Sequence, residues 1–143
     1  QSLISMKWIK CEWEDIAHLE KIAKSTKNTV KYSKNTVWWG LRTEHADENA
    51  NKFVGCIGLL VLAGAKRGRI KSIYVHPSFR NKGFGNQGTE LVEKYAFEVL
   101  EMHSIEAITR HITYWYYKGY VCTSKRSETK YVLQQSRERY NGN

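Results

Sequence analysis

The feature that most constrains the fold is a strand, a glycine-containing turn and a long helix that follow one another in mid-chain. Residues 69–75 (RIKSIYV) have the composition of a strand, and residues 83–100 keep apolar side chains at helical spacing. The segment HPSFRNKGFGN joins them and holds the only proline of the chain, together with two closely spaced glycines. A long amphipathic helix needs a sheet to cover its apolar face, so the segment predicts a mixed α/β fold.

Apolar patterning predicts the remaining elements. Further strands are expected at residues 6–10, 37–42, 52–62, 105–110, 120–124 and 129–135. Helices are expected at residues 13–24 and 111–118, a polar loop at 43–51, and a turn at Gly64, Lys66, Arg67 and Gly68. The run 52–62 is apolar at both parities, which is typical of a strand covered on both faces, and it forms a predicted meander with its two neighbours.

Length and composition limit the organisation of the chain. With 143 residues and no linker-like stretch, residues 1–143 are expected to form a single domain with a core at about 6–135 and a flexible tail at 136–143. No apolar run reaches the ~20 residues of a membrane span. Cys11, Cys56 and Cys122 form no C-x-x-C pair, so we expect no metal site and free, mostly buried thiols in the cytoplasm.

The mid-chain turn has the properties of an anion site. Gly83 and Gly85 let the backbone turn steeply and approach a ligand, while the helix that follows offers unpaired N–H groups. Arg80 and Lys82 add positive charge, so the segment suits a pyrophosphate. Gly83, Gly85 and Gly88 also complete G-x-G-x-x-G, but the strand and acidic residue of a dinucleotide-binding unit do not follow.

The sequence Y-V-H-P-x-x-R-x-x-G-x-G at residues 74–85 resembles the acetyl-coenzyme A loop of the GNAT N-acetyltransferase superfamily. The order of predicted elements over residues 6–135 is also similar to that fold. The resemblance implies a central mixed, mostly antiparallel sheet that is splayed between its fourth and fifth strands and flanked by helices. It also implies transfer of an acetyl group from acetyl-CoA to an amine by direct nucleophilic attack.

The same resemblance implies which residues contact acetyl-CoA. The loop residues expected to wrap the pyrophosphate are Arg80, Asn81, Lys82, Gly83, Phe84, Gly85 and Asn86. The backbone of Ile73, Tyr74 and Val75 is expected to pair with the pantetheine arm. The thioester would then enter the gap between Tyr74-Val75 and Ala107-Ile108.

A second family signature, an aromatic residue followed by Gly-Phe, is matched in part by residues 114–120 (YWYYKGY). Family members place the tyrosine that protonates the thiolate four residues before the glycine, where this chain has Trp115. We therefore predict Tyr116 as the general acid, with Tyr114 as the alternative; an aromatic plug that packs the short helix is the structural interpretation. Candidates for the general base are Glu106, His111 and His76, and a base acting through solvent is a further alternative.

The acceptor is predicted only as a class. The formal charge of +9 exceeds what a coenzyme A site explains. The resemblance implies an amine on a small molecule or protein as the acceptor, and the excess positive charge adds a nucleic acid as a candidate partner. One alternative function is a GNAT-like nucleic-acid-modifying enzyme of the Mom type, acting on a DNA or RNA base. Another is a non-catalytic CoA-binding module, and in every case we expect a monomer or homodimer.

Overall fold

The computed structural model describes residues 5–43, 53–64 and 66–142. Within them seven strands form one sheet in the order β1-β2-β3-β4-β5-β7-β6. The strands are β1 (Met6–Cys11), β2 (Thr36–Thr43), β3 (Gly55–Leu62), β4 (Arg67–Val75), β5 (Ser104–Thr109), β6 (Val121–Lys125) and β7 (Tyr131–Ser136). The expected meander is confirmed as β2-β3-β4, and the predicted polar loop 43–51 lies almost wholly outside the described residues.

The sheet is mixed and mostly antiparallel, as predicted. β1 pairs antiparallel with β2, and β7 pairs antiparallel with both β5 and β6. The parallel pair joins residues 67–70 of β4 to residues 104–107 of β5. After Ile70, the last paired residue, β4 continues for five residues to Val75. Ser72 in this continuation has φ +55°, a left-handed conformation that interrupts the regular pleat.

The helices are α1 (Trp13–Ile16), α2 (Leu19–Ser25), α3 (Phe84–Lys94), α4 (Ile112–Tyr117) and α5 (Arg137–Gly142). None of the helices in the described residues is long and apolar enough to cross a membrane. A short 3₁₀ turn at Pro77–Phe79 precedes α3, and a π-helical turn at Tyr95–Val99 follows it.

Two predicted helices differ from the observed ones. The expected helix 13–24 is interrupted between α1 and α2, where a ring nitrogen of His18 makes a 2.9 Å hydrogen bond with the Phe53 carbonyl group. The expected helix 83–100 widens after Lys94 into the π-helical turn, where the Leu100 N–H donates to the Tyr95 carbonyl five residues earlier.

The chain divides into two compact units, which are described separately. The first unit contains residues 1–58 and 72–91, and the second contains residues 59–71 and 92–143. Buried side chains from α1, α2, β2, β3, β4 and the segments before β2 and β3 form a core cluster in the first unit: Ile16, Leu19, Ala23, Val30, Trp38, Phe53, Cys56 and Tyr74. In the second unit the buried apolar residues include Met102, Ile105, Ala107, Trp115, Tyr120 and Leu133.

The start of β4 corrects the predicted turn. Arg67 and Gly68 belong to the strand, because they pair with Ser104 and Ile105 of β5. Gly68 is a packing glycine: a Cβ atom at this position would lie 2.8 Å from the Met102 sulfur. The sequence pattern assigned Gly68 to a turn, but the residue is a glycine because the Met102 side chain packs closely against the strand at this position.

The last residues are helical, whereas the sequence predicted a flexible tail. In α5, Tyr140 stacks on Phe97 with 4.8 Å between ring centroids, and its hydroxyl group donates to Glu98 Oε2 at 2.9 Å. Arg139 Nε donates to Gln135 Oε1 at 3.1 Å. One aromatic anchor and these polar contacts hold a segment whose average composition is polar.

The three cysteines are free, but their exposure differs. Cys56 is buried and Cys11 is half-buried, as expected, whereas Cys122 on β6 is exposed. Burial, with a smaller contribution from Asp15, raises the pKa of the Cys11 thiol to about 12. The described residues contain no cluster of histidine, cysteine and acidic side chains able to hold a metal ion.

Candidate functional site

The turn between β4 and α3 is built from unusual backbone conformations. His76 Nδ1 accepts the Ser78 N–H at 3.1 Å and so caps the 3₁₀ turn, which the Phe79 N–H closes by donating to the His76 carbonyl group at 2.8 Å. Asn81 and Gly83 then take positive φ values of 62° and 84°, and α3 begins at Phe84. A glycine is therefore required at position 83 for the chain to enter the helix without steric cost.

The three glycines of the turn and helix have different surroundings. Cβ atoms built at Gly83 and Gly85 meet nothing within 4 Å, so the molecule leaves open space beside both residues. A Cβ atom at Gly88 would lie 2.8 Å from the Trp8 indole. Gly88 is therefore needed for packing, whereas Gly83 and Gly85 leave the helix start accessible to a ligand.

The start of α3 is fixed in position and electropositive. The Trp8 indole N–H donates to the Phe84 carbonyl group at 2.9 Å, and the Gln87 N–H donates to the Gly83 carbonyl group at 3.0 Å. The first turn contains no acidic residue, and Lys82 beside it is exposed. Because first-turn amides have no acceptor within the helix, this end of α3 is chemically suited to an anion.

The Arg80 side chain stabilises the turn through hydrogen bonds within the protein. Its Nε donates to the Val75 carbonyl group at 2.7 Å, and its Nη2 donates to Asn28 Oδ1 at 3.0 Å. The guanidinium group lies 5.6 Å from the centroid of the Tyr74 ring, within the range of a cation–π contact. The sequence predicted that Arg80 supplies charge to a ligand, but two of its nitrogen atoms are used to hold the loop.

The last residues of β4 contribute mainly backbone groups. Tyr74 and Val75 are buried, and the His76 N–H donates to the Val54 carbonyl group at 2.8 Å. The Val75 carbonyl group is already engaged by Arg80. The Tyr74 hydroxyl group is buried without a hydrogen-bond partner within the described residues. Backbone pairing with a pantetheine arm would therefore have to use groups of residues 73–75 other than the Val75 carbonyl group.

One face of α4 is packed and carries a buried polar network. Trp115 is buried and meets Tyr120 edge-on, with 4.8 Å between ring centroids. The Tyr120 hydroxyl group donates to Glu93 Oε2 at 2.8 Å, and Lys118 Nζ lies 3.8 Å from Glu93 Oε1. Burial and the adjacent Glu93 raise the pKa of Tyr120 well above its ordinary value. The aromatic-plug interpretation fits Trp115 and Tyr120.

The other tyrosines of α4 face outward. Tyr114, Tyr116 and Tyr117 are 39%, 70% and 84% exposed. Lys118 Nζ lies 5.8 Å from the centroid of the Tyr114 ring, whereas Tyr116 and Tyr117 line a groove against β6 and β7. Tyr116 is thus accessible to a ligand, which a general acid must be, and Trp115 is not.

The predicted base candidates have different partners. Arg69 Nε donates to Glu106 Oε2 at 2.6 Å, and these two residues are register neighbours on β4 and β5. His76 Nδ1 already accepts the Ser78 N–H. His111 is exposed just before α4, and its backbone N–H donates to Thr109 Oγ1 at 2.9 Å. The carboxylate of Glu106 is therefore already engaged by Arg69.

Sequence reasoning missed several residues that support the site. Trp8 and Asn28 lie 76 and 52 positions from their partners in the turn. No local pattern marks them, because their roles depend on packing between distant elements. The sequence pattern marks Tyr120 only as part of an aromatic run. A tyrosine that is buried usually finds a partner for its hydroxyl group, so its hydrogen bond to Glu93 could have been expected.

The network behind α4 gives the first prediction. Replacing Tyr120 by phenylalanine should lower the free energy of unfolding by about 1 to 3 kcal/mol, because the buried Glu93 oxygen loses its donor. Urea denaturation measures the difference. The matched control is Tyr117→Phe, which removes the same hydroxyl group from an exposed ring and should leave stability unchanged; equal stability of both variants would contradict the assignment.

Several solved structures of N-acetyltransferases share this fold. A chimera of the Vibrio cholerae spermidine N-acetyltransferase SpeG and hSSAT matches with a TM-score of 0.75 at 13% identity, covering 97% of this chain and 99% of that chain. A point variant of the Vibrio cholerae enzyme matches with a TM-score of 0.74 at 13% identity, covering 96% of each chain. The PaiA N-acetyltransferase of Thermoplasma acidophilum, in complex with coenzyme A, matches with a TM-score of 0.70 at 12% identity, covering 93% of this chain and 99% of that chain.

A family model assigns the chain more specifically. The model described as "Acetyltransferase (GNAT) family" matches residues 6–114, about three quarters of the sequence. The chain therefore belongs to the GNAT acetyltransferase family, and the resemblance drawn from residues 74–85 is confirmed. A comparison with curated proteins gave no significant match.

Proposed function

We propose that the protein is an acetyl-CoA-dependent N-acetyltransferase that acts on a small-molecule or protein amine. The observation that carries this proposal is the open space beside Gly83 and Gly85 at the electropositive start of α3, in a chain of the GNAT family. The space fits the close approach of a diphosphate to backbone N–H groups. The complex of the Thermoplasma acidophilum relative with coenzyme A is consistent with it.

In this proposal the turn and β4 hold the cosubstrate. Backbone N–H groups at Gly83, Phe84 and Gly85 bind the diphosphate, and Lys82 adds positive charge. Arg80 keeps the turn in its binding conformation through Val75 and Asn28 and is a positioning residue. The remaining backbone groups of residues 73–75 orient the pantetheine arm.

Acetyl-CoA, when bound, supplies an acetyl group activated as a thioester. The acceptor nitrogen forms the new C–N bond as the C–S bond breaks, and the nitrogen loses its extra proton to solvent or to His111. Tyr116 donates its hydroxyl proton to the departing sulfur and recovers one from water, so the products are the acetylated amine and the free thiol of coenzyme A. Exposure of Tyr116 and His111 supports these roles.

The net charge of the chain indicates which kind of amine the acceptor is. Two of the solved relatives are named as spermidine N-acetyltransferases, whose acceptor is a polycation. This chain has a formal charge of +9, so electrostatics disfavour a polycation at its surface. We therefore propose a neutral or anionic amine as the acceptor.

Calorimetric titration with acetyl-CoA tests the first half of the proposal. Binding should weaken with salt, because the ligand is a polyanion. Mixing the complex with a panel of amines should then release free coenzyme A, which chromatography measures. Absence of binding at millimolar acetyl-CoA would refute the proposed function; binding without turnover on any amine would favour the non-catalytic module instead.

A further inference from the structure

A groove of about 470 Å³ lies among α4, β6 and β7 in the second unit. Three tyrosines line it, Tyr116, Tyr117 and Tyr131, together with Cys122 and Leu133. Tyr116 and Tyr117 are mostly exposed, which is unusual for large rings without a ligand or partner. Rings with accessible faces stack on other planar groups, so the groove is suited to a flat ligand.

The chain segment that forms most of this groove is rich in basic residues. Lys125 Nζ lies 5.9 Å from the centroid of the ring of Tyr131, which is one of the residues that line the groove. In the segment 110–131 the sequence places five basic residues and one acidic residue, Glu128. No residue that lines the groove in the described part of the chain carries a carboxyl group. A ligand with a negative group is therefore favoured, and a polycation is disfavoured.

We propose that this groove binds the acyl acceptor, and that the acceptor is an amine whose body carries a planar ring and an anionic group. The inference rests on the proposed function, because Tyr116, the proposed general acid, is one of the lining residues. An amine bound in the groove is therefore next to Tyr116, which is proposed to protonate the departing thiolate. The ring is recognised by the tyrosines and the anion by Lys125.

Four amines test recognition of the ring and recognition of the anionic group separately. Phenylalanine has a ring and a carboxylate, phenylalanine amide keeps the ring without the carboxylate, and norleucine keeps the carboxylate without the ring. An aminohexyl derivative of AMP offers a nucleobase and a phosphate instead. Preference for phenylalanine or for the nucleotide supports the proposal in either case and distinguishes an aromatic amino acid from a nucleotide as the source of the ligand.

Cys122 provides a measure of occupancy that does not depend on activity. It is exposed and lines the groove, whereas Cys56 is buried. A ligand in the groove should therefore slow alkylation of Cys122 by iodoacetamide, which mass mapping of peptides follows. With the full-length protein, phenylalanine or the nucleotide should slow the reaction about tenfold at saturation, and phenylalanine amide and norleucine should leave it unchanged.

Kinetics with variants test recognition of the anion. Lys125→Gln should raise the KM for the preferred acceptor about tenfold, because it removes one charge beside the ring. The control Lys7→Gln makes the same change in net charge on β1, and should leave the acceptor KM unchanged. Calorimetry with acetyl-CoA, done on both variants, shows whether the cosubstrate site is intact.

These experiments distinguish failure of the inference about the groove from failure of the proposed function. If acetyl-CoA does not bind to the wild-type protein, the proposed function fails and the inference fails with it. If acetyl-CoA binds but all four amines protect Cys122 equally or not at all, only the inference is overturned. Protection of Cys122 without acetylation of the bound amine also overturns it, because the groove would then bind a ligand other than the acceptor.

Discussion

Replacement of Gly85 by leucine should weaken acetyl-CoA binding more than about 100-fold while leaving the melting temperature unchanged or slightly raised. Apart from the neighbouring residues and the nearby helix backbone, a Cβ atom at this position meets nothing within 4 Å, so the new side chain begins in the open space beside the helix start. In the proposed complex that space belongs to the diphosphate. Calorimetry measures the binding, and thermal denaturation measures the stability of the same preparation.

Gly88→Ala is the matched control, because it lies one turn further along α3 and should give the opposite result. Its Cβ atom would lie 2.8 Å from the Trp8 indole, so the variant should lose about 1 to 3 kcal/mol of stability. Acetyl-CoA should still bind to it below its melting temperature. Tight acetyl-CoA binding by the Gly85→Leu variant would show that the diphosphate does not use the space beside Gly85.

These two glycines illustrate what the sequence can and cannot predict. The spacing of Gly83, Gly85 and Gly88 matched more than one ligand-binding pattern, and nothing in the letters distinguished a glycine kept for access from one kept for packing. The distinction depends on Trp8, which lies in another element 80 residues away from Gly88 in the sequence. Local patterns therefore predicted where the loop is, and tertiary contacts determine what each residue in it does.

The same limit explains the corrected elements. Strand and helix positions followed from periodicity, which reflects local burial, and most of them were confirmed. The exceptions each involve one contact with a distant residue. The Tyr140 ring stacks on Phe97 in the helical tail, and His18 hydrogen-bonds to the Phe53 carbonyl group at the break between α1 and α2. Gly68 belongs to a strand against which the Met102 side chain packs. Such contacts join residues far apart in the chain, so a window of neighbouring residues does not contain them.

Arg80 shows a related limit for chemistry. A basic residue next to a glycine turn is reasonably interpreted as a phosphate ligand, and the sequence supported that interpretation. In the structure its Nε donates to the Val75 carbonyl group and its Nη2 donates to Asn28, so both of these nitrogen atoms have partners within the protein. Residue type predicted that Arg80 matters to the loop, but the direction of the side chain determines whether it acts on the ligand or on the backbone.

Tyr116→Phe should lower kcat about 100-fold and leave the KM for acetyl-CoA unchanged, because the hydroxyl group is proposed to act only as the C–S bond breaks. Tyr116 is 70% exposed and lines the groove, so removing one oxygen atom leaves no buried group without a partner. The change in rate therefore reports chemistry and not stability. Steady-state kinetics with the preferred acceptor, over a range of pH, measure it.

Neighbouring tyrosines of α4 provide the comparison that decides the assignment. Tyr117→Phe removes the same group from the next, still more exposed ring, and its kcat should stay within about twofold of wild type. Tyr114→Phe tests the alternative acid predicted from the sequence. If Tyr114→Phe loses the activity and changes the pH profile while Tyr116→Phe does not, the proton comes from the ring beside Lys118, and the groove loses its link to the chemistry. A similar small effect of all three variants would show that no tyrosine of α4 protonates the thiolate, because α4 contains no other tyrosine.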